Sequence, residues 1–265
     1  MTSHTAPSAA FASVPLPVPT SPGPATLALF VDLDGTLLDF AAHPGEVVVE
    51  PSLPAVLRAL HTLLDGALAP LSGRPLRQID DLLGWTGAAA GSHGAELRRA
   101  DGSLIAPPRR RDRLAALHAR AIALLTGMPG TFAEAKPDAL ALHYRNAPNA
   151  AAAVQAVAET LQREAGAGYA LQPGNHVVEL KRADVDKGRA VVALMREPPF
   201  AGRVPWVLGD DLTDEHAFAR ANALGGDSVI VGPRRPTCAR HALADPRAVR
   251  AWLAALARST PHPPA

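Results

Sequence analysis

The sequence predicts a doubly wound parallel α/β core, Rossmann-like, interrupted by an inserted α+β unit. Three observations lead there. Short, unbroken apolar runs alternate with helical patterns over residues 26–90, and that alternation returns after residue 186. Each of these runs ends on chemistry-bearing residues. Between the two stretches the order changes to helix, hairpin, helix, hairpin.

Residues 26–31, TLALFV, are apolar without alternation, as in a strand buried on both faces. Pro51 to Pro54 open a helix in which Leu53, Val56, Leu57, Leu60, Leu63 and Leu64 share one face. Residues 67–71 form a short strand, and Pro75 suits the first turn of the next helix. Residues 88–90 supply a third strand. The inserted unit reads as a helix over 112–125, strands over 131–135 and 140–145, a helix over 149–165, and strands over 169–172 and 176–181. The parallel pattern resumes with a helix over 187–196, a strand over 204–208, a helix over 214–223, a strand over 228–231 and a helix over 247–258. The expected division is a tail over 1–25, core over 26–107, cap over 108–182, core over 183–259 and a tail over 260–265. Both tails are rich in proline.

Composition narrows the function. Twenty-six basic residues against 25 acidic ones leave a net charge of +1, so no broad field favours nucleic acid or an anionic membrane. The basic cluster Arg109, Arg110, Arg111 and Arg113 reads as a solvated linker or helix start, with a phosphate contact as the alternative. The single cysteine, Cys238, permits no intrachain disulfide. No apolar run reaches the roughly 20 residues of a membrane helix. A cytoplasmic monomer acting on a small molecule is the expectation.

Four signals carry chemistry. Asp32-Leu-Asp34-Gly-Thr36 ends the first strand. Residues i and i+2 of an extended chain point the same way, so the two carboxylates converge at the carboxyl end of the sheet. Their repulsion calls for a divalent cation, and oxygen ligands favour Mg2+. One carboxylate can attack phosphorus, and the other can serve as acid and base. Gly209-Asp210-Asp211-Leu-Thr-Asp214-Glu215 follows a second apolar strand; these acids suit a cation, and Asp214 also suits a helix start. Ser72-Gly73-Arg74 offers a hydroxyl and loop amides to a phosphate. Lys187 opens a helix, where it would neutralise phosphate and nucleophile.

In that order the four signals resemble the motif set of the haloacid dehalogenase superfamily. The resemblance implies Asp32 as nucleophile and Asp34 as acid and base. It implies Thr36, Ser72, Gly73 and Lys187 around the phosphoryl group, and Mg2+ held by Asp32, the main-chain carbonyl of Asp34, and Asp210, with Asp211 and Asp214 ligating or supporting it. An inserted cap between the serine and lysine signals marks the sugar-phosphatase branch. Glu134 and Lys136, His143 and Arg145, and Glu179 and Lys181 are spaced two apart, which suits either a sugar-reading face or the wet side of an amphipathic sheet. The wording of residues 91–96, 134–145, 173–179 and 209–215 is similar to trehalose-6-phosphate phosphatases. That likeness implies Glu134, Lys136, Arg145 and Glu179 as sugar contacts. Arg74 is expected beside them, and His93, which follows a strand, suits either the cleft lining or a hydrogen-bonded structural place. Asn175 departs from a lysine common in that family. Another sugar phosphate as substrate, a non-catalytic sugar-phosphate-binding regulator and a phosphomutase remain as alternatives.

Overall fold

A computed structural model describes residues 16–20, 23–40, 46–105, 111–136, 139–174 and 176–259. Asn175, Arg109 and Arg110 lie outside these residues, as do the side chain of Arg111 and most of both expected tails.

The elements run β1 (Leu27–Asp32), α1 (Leu53–Leu63), β2 (Leu68–Leu71), α2 (Leu76–Leu83), β3 (Ala89–Gly91), β4 (Glu96–Arg98) and β5 (Leu104–Ile105). Then come α3 (Arg111–Leu125), β6 (Phe132–Ala135), β7 (Ala139–His143), α4 (Ala151–Ala165), β8 (Tyr169–Gly174) and β9 (Val177–Arg182). The chain closes with α5 (Lys187–Leu194), β10 (Val204–Gly209), α6 (Glu215–Ala223), β11 (Asp227–Val231), β12 (His241–Leu243) and α7 (Pro246–Ala257).

Eight strands form one sheet in the order β12-β11-β10-β1-β2-β3-β4-β5. The first six are parallel to their neighbours, with Leu29 opposite both Trp206 of β10 and Leu68 of β2. Every residue of β1 is buried, so both faces of the sheet are covered there. Helix α1 packs on α7, and α5 on α6. The chain leaves β1 toward β2 and returns later to β10 on its other side, making a switch point between β1 and β10. Such a crevice, at the carboxyl ends of the strands, is where open α/β sheets bind ligands.

Three strands lie beyond the sequence reading. The hairpin β4–β5 is antiparallel and closes one edge of the sheet. Its strands are only three and two residues long, ELR and LI, so no apolar run announces it. Its anchor is tertiary: Arg98 grips Asp80 of α2 at 2.7 and 2.8 Å and the carbonyl of Gly87 at 2.8 Å. The third is β12, at the other edge.

The inserted unit has its own sheet, ordered β6-β7-β9-β8 and antiparallel throughout. Leu140, Leu142, Val178 and Leu180 point to one face, where they meet Leu117, Ala121, Val154 and Leu161 of α3 and α4. Each such leucine removed from water contributes about 1.5–3 kcal/mol. Period two sends the intervening residues to the other face, toward the core.

Candidate active site

The first carboxylate pair sits where β1 ends. Gly35 turns the chain with φ 85°, and a Cβ there would lie 2.4 Å from Asp210 Oδ2. Only glycine both takes that conformation and admits that carboxylate. At the end of β10, a Cβ on Gly209 would lie 2.3 Å from Asp214 Cγ. Both glycines are thus vacated space filled by acids.

Lys187 joins the two strand ends. Asp186 caps α5 by accepting from the amide of Arg189 at 2.8 Å, which makes Lys187 the first residue of the helix. Its buried ammonium donates to Asp32 Oδ1 at 2.6 Å and Asp214 Oδ1 at 2.7 Å. Asp214 is fully buried, and its other oxygen accepts from the amides of Asp210 and Asp211, each at 3.1 Å. Burial works against the Lys187 ammonium, but Asp214 and Asp32 outweigh it and hold the proton on. Burial also pushes the Asp32 carboxyl up, against the pull of Lys187, with Asp214 and Asp210 adding to the rise. Asp210 is pushed up to about 6, chiefly by burial and by Asp214.

Oxygen atoms of Asp32, Asp210 and Asp214 lie within 4.8 Å of one another. Three carboxylates against one ammonium leave an excess of two negative charges, which a divalent cation matches. The donors are all oxygen, the set that hard cations take. The buried hydroxyl of Thr36 lies 3.1 Å from Asp210 Oδ1 and 3.4 Å from Asp32 Oδ2, tying the two strand ends together. Asp211 stands outside this cluster and is exposed.

On the cleft side, Arg74 holds Asp34 through Nε and Nη2, both bonds 2.7 Å. The amide of Arg74 donates to Ser72 Oγ at 3.1 Å, and the carboxylate of Glu96 receives the first amide of α2, Leu76, at 2.7 Å. The Ser72–Arg74 loop is thereby pinned from both sides. His93 donates its amide to the carbonyl of Ser72 at 2.9 Å, and its ring occupies the room that Gly73 leaves. Burial, with Lys187, Lys181 and Lys136 nearby, lowers its pKa to about 3, so the imidazole is neutral.

A cleft of about 700 Å³ separates this surface from the cap. Asp34, Gly73, Arg74 and His93 line it from the core; Glu134, Lys136, Arg145 and Glu179 line it from the cap. The predicted cap residues therefore share one face with the core residues opposite. Glu179 is buried and pairs with Lys136; His93 Nε2 stands 3.9 Å from its second oxygen. Glu134 meets His143 Nε2 at 2.8 Å.

Lys181 and Phe40 also line the cleft and were not among the expected site residues. The spacing of Glu179 and Lys181 was signal enough for the lysine. Phe40 carries no such pattern. Arg234 was missed as well: it pairs with Glu215 and donates to the carbonyls of Asp210 and Asp211 at 3.3 and 3.4 Å, bracing that loop from the far side.

The chain has known relatives. The trehalose-phosphatase family profile matches residues 30–245. A probable trehalose-phosphate phosphatase of Sinorhizobium fredii (strain NBRC 101917 / NGR234) is 42% identical over 232 residues, 87% of each chain. The trehalose-6-phosphate phosphatase of Escherichia coli (strain K12) is 42% identical over 234 residues, 86% of each. Among solved structures, the C-terminal domain of trehalose-6-phosphate phosphatase from C. albicans superposes with a TM-score of 0.71, covering 89% of this chain and 92% of that one; at 22% identity this speaks to the fold. With a haloacid dehalogenase-type core, a cap over its switch point and these relatives, the chain belongs to the trehalose-phosphatase family.

Proposed function

We propose that this protein hydrolyses trehalose 6-phosphate to trehalose and inorganic phosphate, using Mg2+ and an aspartyl-phosphate intermediate on Asp32. The observation that carries the chemistry is the buried set of Asp32, Lys187, Asp214 and Asp210 at the switch point, next to Asp34, which lines a cleft under a polar cap. The family and its 42%-identical relatives carry the substrate.

Asp32, Asp210 and the main chain at Asp34 would hold Mg2+, whose charge would offset that of the phosphoryl oxygens. Asp214 is committed to Lys187 and two amides, so its part is to support the site, and Asp211 is a weaker candidate ligand. Lys187 fixes one Asp32 oxygen, leaving the other to attack phosphorus in line. The bond from phosphorus to the sugar oxygen breaks as Asp34 gives that oxygen a proton. Asp34 then takes a proton from water, which attacks phosphorus and frees Asp32 and phosphate. Arg74 holds the Asp34 carboxylate in place between these steps. Ser72, Thr36 and the Gly73 amide surround the phosphoryl group, and positioning supplies much of the rate.

The cap selects the sugar. Glu134, Lys136, Arg145 and Glu179 place carboxylates and cations around a half-enclosed space, an arrangement that exchanges hydrogen bonds with hydroxyls. Cap closure would keep bulk water from the reacting centre. We take residues 108–182 as the cap and a single chain as the working unit. A cytoplasmic address suits a chain with one cysteine, and among the described residues no helix is long and apolar enough to cross a membrane.

Phosphate release from trehalose 6-phosphate, with Mg2+ and with chelator, beside sucrose 6-phosphate and glucose 6-phosphate, tests the reading. Mg2+-dependent preference for the trehalose ester is the expected result. Release from the other esters alone would remove the substrate assignment and keep the mechanism. No release from any ester would favour a binding protein.

A further inference from the structure

Two lysines, Lys136 and Lys181, line the cleft, while Lys187 is buried in the core, and the three differ in how they are held. Lys187 is bonded to Asp32 and Asp214 at 2.6 and 2.7 Å. Lys136 is paired with Glu179. Lys181 lines the same cleft, yet among the described residues no hydrogen bond or ion pair holds its ammonium.

Its surroundings leave it pointing into that space. On β9, Val178 and Leu180 enter the cap core, so Glu179 and Lys181 take the opposite face. The partners of Lys181 across the ladder are Ala139 of β7 and Ala170 of β8. Both are small, so neither covers the lysine stem. The group is partly buried, and that burial pushes its pKa down. Asp186 and Glu179 attract it from beyond pairing distance, and Lys187 of the core repels it. The two lysines therefore sense each other across the seam between cap and core. His93, lying at that seam, also registers both charges.

A partly buried ammonium with no partner among the described residues is costly. A neutral disaccharide gives little reason to keep one, whereas an anion held between the two lysines relieves both desolvation and repulsion. We propose that Lys181 is a ligand of the substrate's phosphoryl group, supplied by the cap, so that the phosphate itself draws cap and core together. This inference rests on the reading of the cleft as a sugar-phosphate site. It adds a second role to the cap, which then reads the charge as well as the hydroxyls. Release follows from the same geometry: once the phosphate has left, trehalose offers Lys181 no charge and the closed form loses its bridge.

The test uses the full chain with Mg2+ and two variants, Lys181→Met, which keeps an apolar stem, and Lys181→Arg, which keeps the charge. Binding of inorganic phosphate and of trehalose is measured by calorimetry, and KM and kcat with trehalose 6-phosphate. For Lys181→Met, phosphate binding and KM should weaken together by about tenfold or more, with kcat changed less and trehalose affinity unchanged. Lys181→Arg should recover most of the loss. Weakened trehalose binding with phosphate binding intact would overturn the proposal in favour of a hydroxyl contact. Unchanged binding of both would reduce Lys181 to packing. If the wild-type protein releases no phosphate from trehalose 6-phosphate, the functional reading fails, while the phosphate calorimetry still decides whether Lys181 holds an anion.

Discussion

The two walls of the cleft are built on different physical terms. Behind the core wall, formed by Asp34, Gly73, Arg74 and His93, charges are buried and committed: Lys187 and Asp214 are 3% and 0% exposed, and every oxygen of Asp214 has a partner. On the cap side, Glu134 is 48% exposed and Lys136 37%, and they sit on one face of an antiparallel sheet whose other face is the cap core. The core wall is preorganised, because rearranging buried ion pairs is expensive. The cap wall can adapt, since half-exposed pairs exchange partners with water and ligand at small cost. On the proposed reading, chemistry belongs to the first wall and substrate choice to the second.

Substitutions that cross this divide should separate the two. The largest effect is expected from Asp32→Asn, which should lower turnover by about 10³ or more on every phosphate ester. The fold should survive, because Lys187 keeps Asp214; near-normal turnover would sink the covalent mechanism. Asp214→Ala should instead act on stability. It strands a buried ammonium and two amides, a loss of about 3–5 kcal/mol in denaturant unfolding; a loss below about 1 kcal/mol would show that the core wall is less committed than its geometry.

At the seam, His93 has a folded pKa of about 3, below the value near 6.5 of an unfolded histidine. As pH falls below 6.5 the unfolded chain takes up the proton and the folded one does not. Stability contributed by neutral His93 is thus present above pH 6.5 and lost progressively toward pH 3. Between pH 7.5 and 5, His93→Gln should lose less stability than the wild type, by roughly 1–2 kcal/mol; parallel slopes would mean that His93 titrates normally. The smallest effect belongs to the cap. Glu134→Ala should cost roughly tenfold on trehalose 6-phosphate and leave a small aryl phosphate unaffected, and equal loss on both would count against a sugar-reading role.

Legibility differs between the walls as well. Asp32, Asp34, Ser72, Lys187 and Asp210 each stand at a strand end or helix start that local pattern reveals. Glu134, Lys136 and Glu179 were visible only as alternation, which a solvent-facing sheet shares, until likeness to a family favoured one reading. The hairpin β4–β5 was not visible, since Glu96 and Arg98 owe their strand conformation to partners on and beside α2. Arg234 was hidden for the same reason: its carbonyl partners lie in another loop.

By itself the sequence determined the alternation of buried strands and helices, the insertion of a second unit and the acids, hydroxyl and lysine of the proposed reaction. These are written in periods of two and 3.6 residues and in short motifs, which depend only on near neighbours. Tertiary structure alone decided that Lys187, 155 residues from Asp32, divides its ammonium between two buried carboxylates. It also decided that Arg74 grips Asp34, and that Lys181 lies beside a cleft with no partner among the described residues. Such pairings arise where packing brings distant segments within a few ångströms, and no local period encodes which buried charges will find one another.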